Sequence, residues 1–343
     1  MRKPSLTAAL LVTGLVFVAT AASALAAYAP TLTGSQNGAK TTIHITSAKT
    51  DDSTAAINIF SPSAATLTQT LGTTIGTVTA SINARAISPD AVIPLTGNVI
   101  VADPNNATIA ATATACTGVA THTAVWNLSL TAAGQTLNVP VFVDPAPAAL
   151  AALGVRTVLA TCLASPDVGA ACAPTLCAKL LDVNFTVSGV FTAATTPLPV
   201  WITEFTPYVP GTATANKAGT VTALGLDIKP VITLAAKAGK GKAVLAGRVT
   251  LAGQAAPGFP VTILNGAKKV GTAKTNTAGS YVFTAKLRKG SYSLRAGAAA
   301  ADVPVGAAGC AAIPANTPGL GPCVTATVPA FAVLSKVVKV KVT

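Results

Sequence analysis

Apolar and polar residues alternate along most of this chain. In the stretch GTVTASINA, for example, Val78, Ala80, Ile82 and Ala84 take every second position. A period of two places successive side chains on opposite faces of a strand, so that one face can be buried. Gly, Pro, Asn and Ser separate these runs, which predicts short strands joined by turns and therefore an all-β fold.

Several such runs lie before residue 206, and one segment between them has a different character. Residues 146–154 read APAALAALG, which predicts a helical turn that ends at Gly154. Short strands with almost no helix between them are typical of β-sandwiches. The predicted strands are 41–46, 55–60, 76–87, 122–130, 135–143, 155–163, 180–191 and 198–205.

The pattern is sharper after residue 229. Asn265-Gly266 is a strong hairpin signal between two apolar-rich runs. Residues 275–279 (TNTAG) predict a turn, and two strand patterns joined by RKG follow it. In the last run, KVVKVKVT, lysines alternate with valines, which keeps an exposed strand face soluble. The residues expected to face the core are Tyr281, Phe283, Leu287, Tyr292 and Leu294.

Residues from about 229 to 343 resemble the bacterial immunoglobulin-like and carboxypeptidase regulatory-like (prealbumin-like) modules. The residues that carry the resemblance are Gly247, Val249, Gly253, Val261, Ile263, the turn Thr275 to Gly279, Tyr281, Phe283, Gly290, Tyr292 and Leu294. The resemblance implies a seven-strand sandwich without catalytic residues, used as a spacer or binding module on secreted proteins. The chain departs from the pattern at 298–323, an Ala-, Pro- and Gly-rich insertion, and at Asn276 and Ala278, where an acidic residue is common.

The first 26 residues predict a secretory signal peptide. Arg2 and Lys3 precede a long apolar run, and Ala24 and Ala26 supply the small residues of a cleavage site. We expect cleavage after Ala26 or the next residue. An uncleaved anchor is the alternative, because the run is long enough to span a bilayer. No later stretch is that apolar, so the mature chain is expected outside the cell, secreted or associated with the cell surface.

All six cysteines follow this segment. An even count in an exported chain predicts disulfides. A metal site is not indicated, because the sequence C-x-x-C does not occur and His44 and His122 lie far from the cysteines in sequence. Six cysteines allow many pairings, of which sequence proximity favours two, and these leave a third. The favoured pairs are Cys310–Cys323, Cys172–Cys177 and, by remainder, Cys116–Cys162.

Charge divides the chain in two. Residues 28–205 carry five Lys and Arg against eight acids, whereas residues 206–343 carry 16 Lys and Arg against Asp227 and Asp302. This change of sign predicts a domain boundary near 206–229. The predicted units are a signal peptide (1–26), a first domain (27–228, with 206–228 as its connecting segment) and a basic second domain (229–343) whose insertion 298–323 is pinned by a disulfide.

The basic second domain is the feature of the sequence that says most about function. A dense group of cations attracts anionic polymers, such as those of a cell envelope or extracellular nucleic acid. Few aromatic side chains are present to stack on bases, so specific recognition of nucleic acid is not expected. Lysines that only solvate outward strand faces are the alternative. The candidate polymer contacts are Lys240, Lys242, Lys268, Lys269, Lys339 and Lys341.

Groups that could carry catalysis are scarce. The chain has two histidines and one glutamate, and no motif of a serine hydrolase, zinc protease or nucleotide-binding loop. His44 alternates with isoleucines and is expected on a strand face. Asp51-Asp52 is interpreted as a turn, with a surface calcium site as the alternative, although calcium needs about six or more oxygen ligands. We therefore expect no enzyme, cofactor or resident metal.

These observations together predict an exported, non-catalytic protein of two immunoglobulin-like β-sandwich domains that acts in structure or adhesion at the bacterial cell surface or exterior. A binding module for an anionic envelope or extracellular polymer is the first alternative. A secreted enzyme with its site in the first domain, around His122 or Glu204, is the second.

Overall fold

The computed structural model describes residues 28–343 except 86, 89–90, 133, 152, 169–177, 195–198, 252, 299–301, 305–319 and 329–332. The expected signal peptide lies outside the described residues. Strands dominate the described part, which confirms the all-β prediction. Up to residue 228 the strands are β1 (Thr31–Asn37), β2 (Lys40–Thr46), β3 (Thr54–Ser61), β4 (Thr74–Ala84), β5 (Val92–Ala102), β6 (Ala124–Ala132), β7 (Gln135–Pro145), β8 (Thr157–Cys162), β9 (Ala178–Ser188), β10 (Val200–Pro207) and β11 (Val221–Leu226).

All eight strands predicted in this part of the chain are present, as β2, β3, β4 and β6 to β10. The helical turn predicted at 146–154 is also present, as the short helix α2 (Ala148–Ala151). Three strands, β1, β5 and β11, and the helix α1 (Ala107–Thr117) are not predicted by the sequence pattern. Burial follows the alternation that predicted the strands: in β4, Val78, Ala80 and Ile82 are buried, whereas Thr79 is exposed.

The strands after residue 228 are shorter on average. The strands of this part are β12 (Val231–Ile232), β13 (Ala235–Gly239), β14 (Lys242–Leu251), β15 (Gln254–Ala255), β16 (Pro260–Asn265), β17 (Lys268–Lys274), β18 (Ser280–Lys286), β19 (Gly290–Ala298), β20 (Val303–Pro304), β21 (Cys323–Val328) and β22 (Val338–Val342). The predicted hairpin at Asn265-Gly266 joins β16 to β17, with Asn265 opposite Lys268 and Gly266 at φ 59°.

One large sheet contains all strands up to β11 and also β20 and β21. Its 13 described strands follow the order β1-β2-β9-β4-β5-β6-β7-β8-β3-β10-β11-β21-β20, and among these the β11–β21 pair alone is parallel. We call this sheet, with α1 and α2, the first unit. Two separate sheets were expected here from the sandwich prediction. Instead, these strands are hydrogen-bonded side by side in one continuous sheet.

The large sheet curls until its first strand reaches its other end. Gly34 on β1 lies against Trp201 on β10, and Gly225 on β11 lies against Gly34. A Cβ atom on Gly34 would fall 2.3 Å from Cδ2 of Trp201, so only glycine permits this approach. Inside the curl, the ring of Phe191 makes edge contacts with Trp126 and Trp201, each at 5.8 Å between ring centroids.

A second unit is built from two smaller sheets. One contains β12, β13, β14, β15 and β18, and the other has the order β17-β16-β19-β22. The two sheets share one core, in which Tyr281 and Leu294 are fully buried and Phe283, Leu287 and Tyr292 pack at its margin. These five residues are the ones that the alternation predicts for the core.

The predicted division at residue 228 does not describe the last third of the chain. β21 follows the predicted insertion 298–323, yet it pairs with β11 of the first unit rather than with a strand of the second. Ala326 and Val328 of β21 are buried in one apolar cluster with Leu224. The apolar face of β11 needs this cover, which a strand from a distant part of the sequence supplies.

Candidate functional sites

Three segments meet at one end of the second unit. The turn between β13 and β14 lies beside the turn between β18 and β19, because Leu287 N donates to the carbonyl of Gly241 at 3.1 Å. Gly241 N in turn donates to the carbonyl of Thr343, just after β22, at 3.0 Å. Each segment carries exposed cations. We call this group the basic end: Lys240, Lys242, Lys286, Arg288, Lys289 and Lys341.

The cations of the basic end are neighbours by strand register. Lys242 and Lys286 are directly opposite each other on β14 and β18. Lys341 on β22 is opposite Ser291, one residue from the start of β19. Like charges at directly opposite positions destabilise a sheet, so the stability of the sheet does not explain this arrangement.

The remaining candidate lysines face the same half of the second unit. The β16–β17 hairpin points toward the basic end, since Asn265 is opposite Leu294 and Gly266 N donates to the carbonyl of Ser293 at 3.4 Å. Lys268 and Lys269 begin β17 at this hairpin. On β22, Lys339 is opposite Ser293 and is exposed.

The structure thus brings all six predicted lysines to one half of the second unit and adds three cations that the prediction omitted. Lys286, Arg288 and Lys289 come from the strand end and turn LRKG, whose charge was visible in the sequence. The prediction took this stretch as a turn only. Its hydrogen bond to the β13–β14 turn, which the sequence does not show, makes it part of the group.

The acidic side chains that follow residue 205 are both engaged away from the basic end. After residue 205 the acids are Asp227 and Asp302. Asp227 accepts a hydrogen bond from Gln36 N at 2.9 Å, and Asp302 contacts His44; both partners belong to the first unit. The basic end also lies at the opposite end of β14 from the point where the chain enters the second unit. The chain enters through β12, which pairs with β14 at Thr250. β14 places about 30 Å between these two ends.

His122 is held between an acid and a hydroxyl. Its Nδ1 lies 2.6 Å from Oδ2 of Asp144, its Nε2 lies 3.0 Å from Oγ1 of Thr117, and its ring stacks on Phe142. This order of groups has the form of a catalytic triad. However, the Thr117 hydroxyl donates to the carbonyl of Ala113 at 2.9 Å, as a side chain that closes the end of α1 does.

Glu204 lies in a cleft beside α1. Thr117, Gly118 and the Cys116–Cys162 pair line the same cleft, whose volume is about 890 Å³. Burial raises the pKa of Glu204, and the backbone N–H of Gly321, 3.3 Å from Oε1, acts against this shift. Glu204 therefore fastens the segment before β21 to β10.

The Asp51-Asp52 turn holds a lysine. Nζ of the buried Lys179 donates to the carbonyls of Ala48 and Lys49, each at 3.0 Å, and to that of Asp51. Oδ2 of Asp51 accepts from Ala48 N at 2.9 Å, which is the turn that the sequence predicts. An ammonium group thus already uses the carbonyls that a calcium ion there would need. Within the described residues, no group of three or more His, Cys, Asp and Glu is arranged to hold a metal ion.

One of the three favoured disulfides is present in the described residues. Cys116 at the end of α1 is bonded to Cys162 at the end of β8, with Cα atoms 5.6 Å apart. Cys323 is also disulfide-bonded. Cys310, Cys172 and Cys177 are outside the described residues, so the pairs Cys310–Cys323 and Cys172–Cys177 stay predictions.

No protein-family model and no curated protein matches the chain. Among solved structures, it is similar to the T6 backbone pilin of serotype M6 Streptococcus pyogenes, described as a modular three-domain structure, at 6% identity and a TM-score of 0.26. The match covers 78% of this chain and 48% of the pilin chain, so this chain spans about half the pilin's length. In the described part, no helix is long and apolar enough to cross a membrane.

Proposed function

We propose that this is an exported, non-catalytic adhesion-type or structural protein of the bacterial surface or exterior, attached to an anionic polymer through its basic end. The observation that carries the proposal is the convergence of six exposed cations from three separate segments at one end of the second unit. The polymer would lie across the turn at Lys240 and the turn at Lys289, which a hydrogen bond holds side by side.

We also propose the domain type, signal peptide and disulfides that the sequence predicts. The second unit is an immunoglobulin-like module that presents the basic end, and the first unit is its stabilising base. A signal peptide at 1–26 exports the chain, and disulfides stabilise it outside the cell. Polymers with closely spaced phosphate or carboxylate groups fit a cluster of ammonium and guanidinium groups, because release of counterions favours such binding.

The test is salt-dependent binding of the full chain to an anionic polymer, with heparin and a polyglycerol phosphate as the probes. The triple variant Lys240→Ser/Lys242→Ser/Lys341→Ser is expected to bind at least about tenfold more weakly at low salt and to show a shallower dependence of affinity on salt. Each lost contact should reduce the slope by about one.

The matched control removes three exposed lysines elsewhere. Lys217→Ser/Lys229→Ser/Lys274→Ser changes the net charge by the same amount and leaves the basic end intact. It should bind nearly as the unchanged protein does. Equal weakening in both variants would show that only net charge matters, and this result would contradict a specific site.

A secreted enzyme is the second candidate, favoured by the cleft that Thr117 and Glu204 share. Its weakness is that the Thr117 hydroxyl is already bonded within α1. A hydrolytic activity of the full chain that Thr117→Val abolishes would support this candidate over the first.

A further inference from the structure

We propose that the first unit binds a single aliphatic chain in a cavity inside the curled sheet. The cavity has a volume of about 340 Å³ and is lined by inward-facing side chains of β2 to β9. Apolar cavities of about 150 Å³ already stay dry and take up benzene, and ligand sites begin at about 300 Å³. The space is therefore large enough for a small apolar ligand, and most of its lining belongs to the core of the unit.

The chemistry of the wall selects the class of ligand. Nearly all of the lining side chains are aliphatic, such as Ile57, Ile82, Leu128 and Leu159, and the single aromatic ring is that of Phe185. Among the described lining residues, Asn138, Thr112 and Thr161 are the only polar side chains, and none is charged. A flexible alkyl chain matches this wall better than an aromatic or charged ligand, because Phe185 is the one described ring that could stack on an aromatic ligand and no described lining side chain could pair with a charge.

The cavity has an opening where two strands separate. β7 and β8 pair from Pro145 opposite Thr157 to Phe142 opposite Ala160, and the ladder ends there. Pro140 has no N–H to continue the ladder. The hydroxyl of Thr161 donates to the carbonyl of Pro140 at 2.9 Å instead.

Beyond this point, in the part of the chain that the structure describes, β7 is paired only with β6 and β8 only with β3. The exposed lining residues are found here: Asn138 on β7, Ala164 after β8 and Thr112 on α1. A chain could enter between the strands and leave its polar head beside Asn138 and Thr112.

A small residue in the wall leaves this cavity unfilled. Native interiors are close-packed, with few voids larger than a water molecule, and empty volume lowers stability in proportion to its size. Ala80 sits in this wall, buried at 6% exposure, between larger aliphatic neighbours. A larger residue at that position would fill the space, so its small size keeps the cavity open.

The experiment uses the full chain with 1-dodecanol and dodecanoic acid as probes. Native mass spectrometry should show one molecule bound per chain, and both probes should raise the melting temperature. Ala80→Leu fills the cavity and is expected to weaken binding at least about tenfold. The same substitution at exposed Ala111 on α1 should change affinity less than about twofold.

A second variant tests the cavity independently if Ala80→Leu folds poorly. Leu128→Ala enlarges the cavity and should shift the preference toward an alkyl chain longer by a few carbons. Equal binding by Ala80→Leu and the unchanged protein would overturn the proposal. So would tighter binding of naphthalene than of dodecanol, or binding to phosphatidylcholine vesicles without binding of the monomeric probes.

Discussion

Both ring nitrogens of His44 contact carboxylates. Nδ1 lies 2.5 Å from Oδ2 of Asp302, and Nε2 lies 2.7 Å from Oδ2 of Asp182. The hydrogen bond to Asp302 is the largest influence that raises the pKa of His44 to about 9, while burial acts in the opposite direction. Thr33 also donates to Asp302 at 3.0 Å. The imidazolium therefore fastens the segment that leads into β20 onto the first two strands of the large sheet.

This contact predicts that stability falls as pH rises. Because the folded pKa of His44, about 9, is above the unfolded value of about 6.5, its contribution is complete below about pH 6.5 and is lost as pH rises through about 9. His44→Gln should lower stability by about 2 kcal/mol at about pH 6, a figure reduced for solvent at the 40%-exposed Asp182.

Urea unfolding of both proteins at about pH 6 and about pH 9.5 provides the measurement. The difference between them should shrink at the higher pH, since the histidine is then neutral in the unchanged protein as well. A difference of the same size at both pH values would mean that the charge of His44 has no part in stability.

At the scale of elements, α1 is the clearest case in which the sequence pattern failed. Its sequence, ATIAATATACT, has no apolar stripe, and Ala113 is its only fully buried residue. The alternation of Ala and Thr is typical of a strand as much as of a helix. The helix is specified by its ends: the Asn106 side chain accepts from the backbone N–H of Thr108 and Ile109, and Gly118 closes the helix at φ 78°.

With so little apolar contact, α1 should depend on its disulfide. The Cys116–Cys162 bond closes a sequence separation of 46 residues. In the loop-entropy account, such a bond contributes about 4 kcal/mol. Cys116→Ala/Cys162→Ala is therefore expected to lower stability by about 3–4 kcal/mol and to speed amide hydrogen exchange in α1.

Hydrogen exchange followed by mass spectrometry resolves this effect by segment. β4 and β5 share no residue with the disulfide and serve as the internal reference. If exchange in α1 were as slow in the double variant as in the unchanged protein, the contacts of Val125 and Phe142 with the helix would be sufficient to hold it.

The cations of the second unit show which part of a site can be predicted from sequence. The alternation places Lys339 and Lys341 on one strand face, and the hairpin signal places Lys268 near a tip; the structure agrees on both. Which turns lie side by side depends on pairing between strands far apart in sequence, and alternation carries no information about it. For this reason the contribution of Arg288 and Lys289 was not predicted.

At the scale of the whole molecule, the chain leaves the first unit and returns to it. The path runs from β11 through most of the second unit to β21, which lies parallel to β11 with Thr222 opposite Cys323. The change of charge near residue 206 precedes β11, the last strand of the first unit before β12 begins the second, and composition does not show that a later strand returns. Parallel pairing between strands about 100 residues apart is determined by tertiary packing, because β21 covers the apolar residues Leu224 and Leu226.

The return of β21 predicts that a substitution in the last third of the chain unfolds the first unit. Val328 on β21 is fully buried against that unit. Val328→Asp would bury an unpaired carboxylate and should lower the stability of the first unit by about 3 kcal/mol or more. The chain's two tryptophans, Trp126 and Trp201, lie in the core of the first unit, so tryptophan fluorescence reports on that unit.

The matched control is Val282→Asp on β18, where the side chain is 66% exposed and belongs to the second unit. The fluorescence transition of Val328→Asp should move to lower urea concentration, while that of Val282→Asp should stay within about 0.5 kcal/mol of the unchanged protein. If the chain instead divided into independent domains at residue 228, a charge at position 328 would leave the tryptophan transition where it was. The two substitutions thus distinguish a first unit completed by β21 from one complete at β11.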